Sequence, residues 1–392
     1  MPHIAMFSIG AHGHVNPSLP VITELVARGH RISYAVPESF AQIVASVGAT
    51  PVVYRSVLPD EEAGQRWPDG GVEAMSIFLD EAEQALPQLR AAFDRDRPAV
   101  VLYDIAAYAA RALAHSWEIP LVQLSPAMVA WEGYELDMAE VYAAILDNPA
   151  GEAYQSRFAA WLDGQGIALS VDEFIGRPPQ CIVLIPRALQ PHAGKVDERV
   201  YTFVGPSLDA RPHQGDWPDP DRPLLLVSLG SAYTDAPQFY RDCFAAFGGL
   251  DWQIVMSIGR HVDRATLHPV PSNVELHEWV PQLAVLGRTS VFVTHAGMGG
   301  CSEGLYQGVP MVAVPQAVDQ FSNAAMLEEL GVGVHLPMQQ ATPEALCDAV
   351  LRLAGSPEVA ARCAALRDEL RAAGGAVRAA DIIESALRSP GH

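Results

Sequence analysis

Short apolar runs alternate with amphipathic stretches of helical spacing from the first residues onward, and that rhythm narrows the fold more than any other feature. HIAMFSI is followed by PSLPVITELVARG, HRISYAV and SFAQIVASVG, and the pattern continues through AVVLYD, AAYAARALAHSW and PLVQLS. Strands buried on both faces read as near-continuous apolar runs, and strands separated by helices pair in parallel, so the pattern predicts a doubly wound α/β sheet. A second set of strands follows: PLLLVSLGS, WQIVMSIG, VELHEWV, SVFVTHAG and PMVAVPQ, with helical segments such as APQFYRDCFAAFG between them. Between the two sets lies GPSLDARPHQGDWPDPDRP, rich in Pro, Gly and Asp and without periodicity, the composition of a linker.

A chain of 392 residues exceeds one ordinary core, so two Rossmann-like domains are expected, at 1–205 and 224–375, joined by the linker 206–223. The closing VRAADIIESALRS has helical spacing, and residues 376–392 are expected to pack back on the first domain.

Acidic residues outnumber basic ones 46 to 25, a net charge of −21, and Lys195 is the only lysine. Such a field repels polyanions, and no basic run marks a nucleic-acid or lipid surface. The cysteines, Cys181, Cys243, Cys301, Cys347 and Cys363, show no CxxC spacing. They indicate neither a disulfide framework nor a zinc site, and fit a reducing cytoplasm. The N-terminal apolar stretch reads as a strand, since it is short and lacks a charged leader.

The segment from Trp279 to Gln320 carries the most chemistry. The strand SVFVTH feeds a turn containing Gly297, Gly299 and Gly300, which opens a helix expected to begin near Cys301. Glycines admit a close backbone approach, and the free N–H groups at a helix start attract a diphosphate without a lysine or arginine. His295 at the strand end can donate to the same phosphates. Trp279 offers a flat face to a nucleobase, Glu303 an acceptor for ribose hydroxyls, and Asp319 with Gln320 two acceptors for sugar hydroxyls.

With these elements at these separations, the sequence resembles the nucleotide-sugar-dependent glycosyltransferases of the GT-B architecture, most closely the macrolide glycosyltransferases of the oleandomycin type, over essentially the whole chain. The resemblance implies two facing domains with the active site in the cleft, 1–205 binding the acceptor and 224–375 the nucleotide sugar. It implies that Trp279 stacks on uracil, that Gln282 and Glu303 contact ribose, that His295, Gly299 and Gly300 hold the diphosphate, and that Asp319 and Gln320 contact the sugar. Val280, Gly297 and Cys301 in the same segment are counted among the donor-binding positions. Gly299 and Gly300 stand where plant relatives carry Asn and Ser, which leaves more of the phosphate binding to the backbone. Ser231, in the turn SLGS, is a further phosphate donor or simply a turn residue.

In the first half, HIAMFSI ends in GAHGHVNPS, with His12 and His14 ahead of a helix expected to start around Pro17 to Pro20. An acceptor hydroxyl attacks poorly at neutral pH, and a histidine that takes its proton removes the difficulty. The resemblance places the base in the Gly-His-x-x-Pro turn, hence at His14 with His12 as the alternative, and its carboxylate partner at Asp104. It implies an inverting, metal-independent transfer from a UDP-sugar, UDP-glucose above all, to a bulky apolar acceptor, with no prosthetic group. Met75, Phe78, Ser125, Met128, Trp131, Tyr134 and Met138 are candidates to line the acceptor pocket, or to serve as core. The oligomeric state stays open, a homodimer included.

Competing readings have weaker footing. Gly300 to Gly304 matches the G-x-S-x-G elbow of a serine hydrolase, with Asp319 and His335 in the right order, yet Ser302 lies well past its strand. His12 and His14 as ligands of a hydrolytic metal require further ligands at later strand ends. Asp94-Arg95-Asp96 and Asp219-Pro220-Asp221 resemble a metal-binding D-x-D but precede strands, and read as solvated surface. A non-catalytic ligand-binding protein would have no use for both His14 and Asp104.

Overall fold

The computed structural model describes residues 2–60, 65, 67–68, 70–208, 215–230, 234–317 and 319–388. The chain divides into two compact units, residues 1–207 with 374–392, and residues 208–373.

The first unit carries, among the described residues, a sheet of seven parallel strands: β1 His3–Phe7, β2 Arg31–Val36, β3 Thr50–Val53, β4 Val100–Tyr103, β5 Leu121–Ser125, β6 Cys181–Val183 and β7 Tyr201–Phe203. Their spatial order is β3-β2-β1-β4-β5-β6-β7. β1 and β4 are buried along their whole length because helices cover both faces, which is why their residues other than His3 are apolar or aromatic. Strand order reverses at β1, so the connections leaving β1 and β4 run to opposite sides and open a crevice at their carboxyl ends. Phe7 pairs with Tyr103 in register, and the loops that follow emerge side by side.

The helix after β1 begins at His12, not around Pro17 to Pro20, and runs to Ala27 with both prolines inside it. Proline removes the N–H that reaches back four residues, so two ladder bonds are missing, but Leu19, Val21, Ile22 and Leu25 are buried and hold the helix by packing. The last helix, Gly375–Arg388, lays Ala379, Ala380 and Ile383 into the same core. Arg28 grips Asp381 and Glu384 at its rim, and His30 lies 2.9 Å from Glu384.

The second unit repeats the plan with β8 Leu224–Ser228, β9 Gln253–Ser257, β10 Val274–His277, β11 Thr289–Thr294, β12 Met311–Ala313 and β13 Gly333–His335. These strands are parallel, in the order β10-β9-β8-β11-β12-β13. Here the reversal falls at β8, and Ser228 pairs with Thr294 at the strand ends. The helix after β11 spans Met298–Gln307, beginning three residues before Cys301, so Gly299 and Gly300 belong to its first turn and Gly297 is its N-cap. Glycine's low helix propensity hides such a start from a sequence reading. No helix among the described residues is long and apolar enough to cross a membrane.

Candidate active site

Each unit places a candidate histidine at its own reversal of strand order. In the first, Asp104 follows β4 directly and is 1% exposed, while His14 sits in the first turn of the helix after β1 and is 26% exposed. Nδ1 of His14 lies 3.0 Å from Oδ1 of Asp104 and 2.9 Å from Oδ2. The backbone N–H of Ile105 also donates to Oδ1 at 2.8 Å, fixing the carboxylate from its own chain. A carboxylate only accepts, so Nδ1 carries a proton and the lone pair of the neutral ring is left on Nε2. His12 lies against the ring of Phe40, with centroids 5.0 Å apart.

An apolar wall flanks this pair. Ile9, Leu58 and Ala106 form a small buried cluster, against which Trp67, Ile77, Phe78 and Ile105 pack. Phe78 lies on the helix Gly71–Phe93 with Met75, and both also touch the main core. Ile9, Trp67 and Ile105 were not legible as candidates: the first and last only gain meaning from their nearness to His14 and Asp104. A recess of about 610 Å³, which shares Leu58 with this wall, opens beside Gly10, Ser39, Arg55 and Gln65. Among the other acceptor candidates, Ser125 is fully buried and spends its hydroxyl on the carbonyl of Ala127 at 2.9 Å. Trp131 meets Tyr134 edge-on at 4.8 Å and donates its Nε1–H to Asp137 at 2.7 Å. The hydroxyls of Tyr134 and Tyr142 are 2.9 Å apart, and Met128 and Met138 are half-buried.

In the second unit Trp279, 59% exposed, presents its indole on the loop after β10, and Val280 buries beneath it. Gln282 opens the helix Gln282–Leu286, and its Nε2 donates to Oε2 of buried Glu303 at 2.8 Å, so the two residues assigned to ribose are already joined. His295 follows β11 directly. A Cβ at Gly297 would stand 2.5 Å from its Nε2, and one at Gly230, where φ is +79°, 2.6 Å from its Cε1. Both glycines therefore make room for the imidazole. Burial pulls the His295 pKa down from 6.5 to about 4, opposed by a hydrogen bond with the Ser228 backbone. At neutral pH the ring is uncharged, and its buried Nδ1 has no hydrogen-bond partner among the described residues.

The helix start at Met298 leaves its first N–H groups without intrahelical acceptors, beside open space at Gly299. The side chain of Cys301 is wholly buried, and that burial pushes its thiol pKa up, so this residue offers a ligand only its main chain. Asp319 occupies the N-cap position of the helix Gln320–Glu329, and buried Gln320 accepts from the backbone N–H of Gln316 and Ala317 at 2.8 and 3.1 Å. Ser231 lies outside the described residues. Two residues that the sequence did not single out join this group: Thr294, whose hydroxyl accepts from the N–H of Ala296 at 3.2 Å, and Asn323.

The competing readings lose their geometry. Ser302 lies inside the helix Met298–Gln307 and is 5% exposed, so it is no nucleophile elbow. Asp94 accepts from Trp117 at 3.2 Å, Asp96 pairs with Arg31, and Asp219 with Arg288 at 2.8 Å. Among the described residues no three His, Cys, Asp or Glu side chains gather as a metal cage would require.

The family model described as Erythromycin biosynthesis protein CIII-like, C-terminal domain, matches residues 241–384. The chain is 52% identical to oleandomycin glycosyltransferase of Streptomyces antibioticus over 390 residues, 98% of this chain and 91% of that protein. It is 36% identical to the NDP-glycosyltransferase YjiC of Bacillus licheniformis, with 99% and 98% covered. Among solved structures it is similar to the glycosyltransferase of kitacinnamycin, at 48% identity, a TM-score of 0.92, and 99% and 100% coverage. It is also similar to the calicheamicin glycosyltransferase CalG4, at 34% identity, a TM-score of 0.86, and 100% of each chain covered.

Proposed function

The chain belongs to the macrolide glycosyltransferases of the oleandomycin type, with the GT-B architecture, and on that premise we propose that it transfers glucose from UDP-glucose to a hydroxyl of a macrolide or similarly bulky apolar natural product. The observation that carries this reading is the His14–Asp104 pair, in which Nε2 keeps the lone pair needed to take a hydroxyl proton.

In the proposed reaction the acceptor O–H loses its proton to Nε2 of His14 as its oxygen bonds to the anomeric carbon. The bond from that carbon to the diphosphate oxygen breaks in the same displacement, and UDP departs with the electron pair. Asp104 keeps the ring in the required tautomer and stabilises the imidazolium that forms. Backside attack inverts the centre, so an α-linked donor gives a β-glycoside, with no covalent intermediate.

The departing diphosphate is received by the free N–H groups at the start of the helix Met298–Gln307 and by His295. His295 serves as a neutral donor, because its burial disfavours the cation. Trp279 stacks on the uracil, the Gln282–Glu303 pair takes the ribose, and Asp319 with Gln320 meets the sugar hydroxyls. The phosphate site works through backbone dipoles, so the reaction proceeds without a divalent ion. Ile9, Phe78 and Ile105 form an apolar surface for the acceptor next to the base.

Incubation of the purified protein with UDP-glucose, a panel of macrolides and flavonoids, and EDTA, read by mass spectrometry, tests the proposal. A product heavier by one hexosyl residue supports it. Binding of UDP-glucose by calorimetry without any product rejects the acceptor class, absence of both rejects the donor, and activity only after adding metal rejects the phosphate site.

A further inference from the structure

Asn323 has no exposed surface, yet its side chain reaches two functional segments of the second unit. Nδ2 donates to the backbone carbonyl of Ala296 at 3.0 Å and to Oδ2 of Asp319 at 2.9 Å. Both partners are acceptors only, a carbonyl and a carboxylate, so the amide orientation is dictated by chemistry: the NH₂ end must face them. Oδ1 is thereby left buried without a partner among the described residues, an arrangement that costs stability and persists because the two donated bonds outweigh it.

The two acceptors are unequal. Asp319 is one helical turn before Asn323, and a contact at that spacing alone would be unremarked. Ala296 is 27 positions earlier, in the turn between His295 and Gly297, and adopts φ +62°. An L-residue in the left-handed region is strained, typically by about 1–2 kcal/mol, and remains there only when its surroundings hold it. Thr294 holds the N–H of Ala296 and Asn323 holds its carbonyl, one from each side. That conformation sets both the His295 ring and the helix start at Met298.

We infer that Asn323 is a positioning residue of the donor site, fixing the carboxylate of Asp319 and the left-handed Ala296 turn in one mutual arrangement, so that sugar and diphosphate are gripped together. The inference rests on the donor reading above. Asn323 touches no substrate in this account; it acts through its two partners.

The test is a double-mutant cycle on UDP-glucose binding, measured by calorimetry with wild type, Asn323→Ala, Asp319→Ala and the double variant. Asn323→Ala is expected to weaken UDP-glucose about tenfold or more, the scale of a lost hydrogen bond to a charged group. With Asn323 already absent, Asp319→Ala is expected to cost less than about a third of its effect in wild type, the mark of residues acting as a unit. A merely structural asparagine would give effects that multiply, and that result overturns the inference. Should Asn323→Ala fail to fold, Asn323→Asp keeps the volume and replaces the donor with an acceptor; a folded Asn323→Asp protein with wild-type affinity likewise overturns it. Wild type that binds neither UDP nor UDP-glucose would reject the donor reading and the inference with it, whereas normal wild-type binding with a multiplicative cycle rejects the inference alone.

Discussion

Nδ1 of His14 stands 3.0 Å from Oδ1 of Asp104, although ninety positions separate them, because the strands that precede them are neighbours with Phe7 registered on Tyr103. The sheet brings the proposed base and its proposed orienting acid together, with the His14 ring 26% exposed. Asp104→Asn removes the carboxylate that selects the Nδ1–H tautomer and stabilises its cation. Turnover is expected to fall by about 10² or more, with His14→Ala at least as damaging, within the usual range for a general base. UDP affinity should be unchanged in both. Steady-state kinetics paired with UDP calorimetry checks this, and turnover within threefold of wild type in His14→Ala would remove the residue as base.

Trp279 is exposed while its neighbour Val280 is buried, so the indole contributes little to the core and has a face available. Stacking of a base on an aromatic side chain is worth about 1–3 kcal/mol. Trp279→Ala should weaken UDP about fivefold to a hundredfold at unchanged thermal stability, and Trp279→Phe should recover most of that loss. A large drop in melting temperature with unaltered affinity would make Trp279 a packing residue instead.

How much of this was legible before the structure depends on whether the signal was local. β1, β4, β8 and β11 announce themselves because parallel strands covered on both faces carry near-continuous apolar runs, here IAMF, VVLY, LLLV and VFV. His14 stood out because the family resemblance places a base in the Gly-His-x-x-Pro turn after the first strand, with His12 as the alternative. The helix starts did not: Pro17 and Pro20 read as a beginning, and Gly299 and Gly300 as loop, since local propensity was overruled by packing. The reason for Gly230 and Gly297 lies in the volume of the His295 ring, which no spacing reports. Asn323 is silent in sequence for the same reason, as its decisive partner is a backbone carbonyl on another element.

Gly299 separates the demands of folding from those of a ligand. Among the described residues, a Cβ added there meets nothing within 4 Å beyond its chain neighbours and its own helix backbone, and the residue is helical, where alanine is favoured over glycine by about 0.5–1 kcal/mol in an interior position. Gly299→Ala should therefore raise thermal stability slightly, yet raise the KM for UDP-glucose severalfold if the diphosphate packs against that backbone. Higher stability with an unchanged KM would move the phosphates away from Gly299.

His295 connects the proposed donor site to pH. Its pKa falls to about 4 in the folded protein by burial, against 6.5 ordinarily, so between those values the unfolded chain binds more protons than the native one. Stability then rises with pH through that window: it is undiminished above 6.5, declines as pH falls toward 4, and declines no further on this account below it. From about pH 7 to about pH 5 the loss attributable to this one ring is about 2 kcal/mol. His295→Asn abolishes the titration while keeping a polar side chain of smaller volume. Urea unfolding of both proteins at the two pH values should show wild type losing about 2 kcal/mol more than the variant, the carboxylates common to both cancelling in the difference. Equal losses would mean that the ring ionises normally, and a cationic His295 would then have to be written into the diphosphate site.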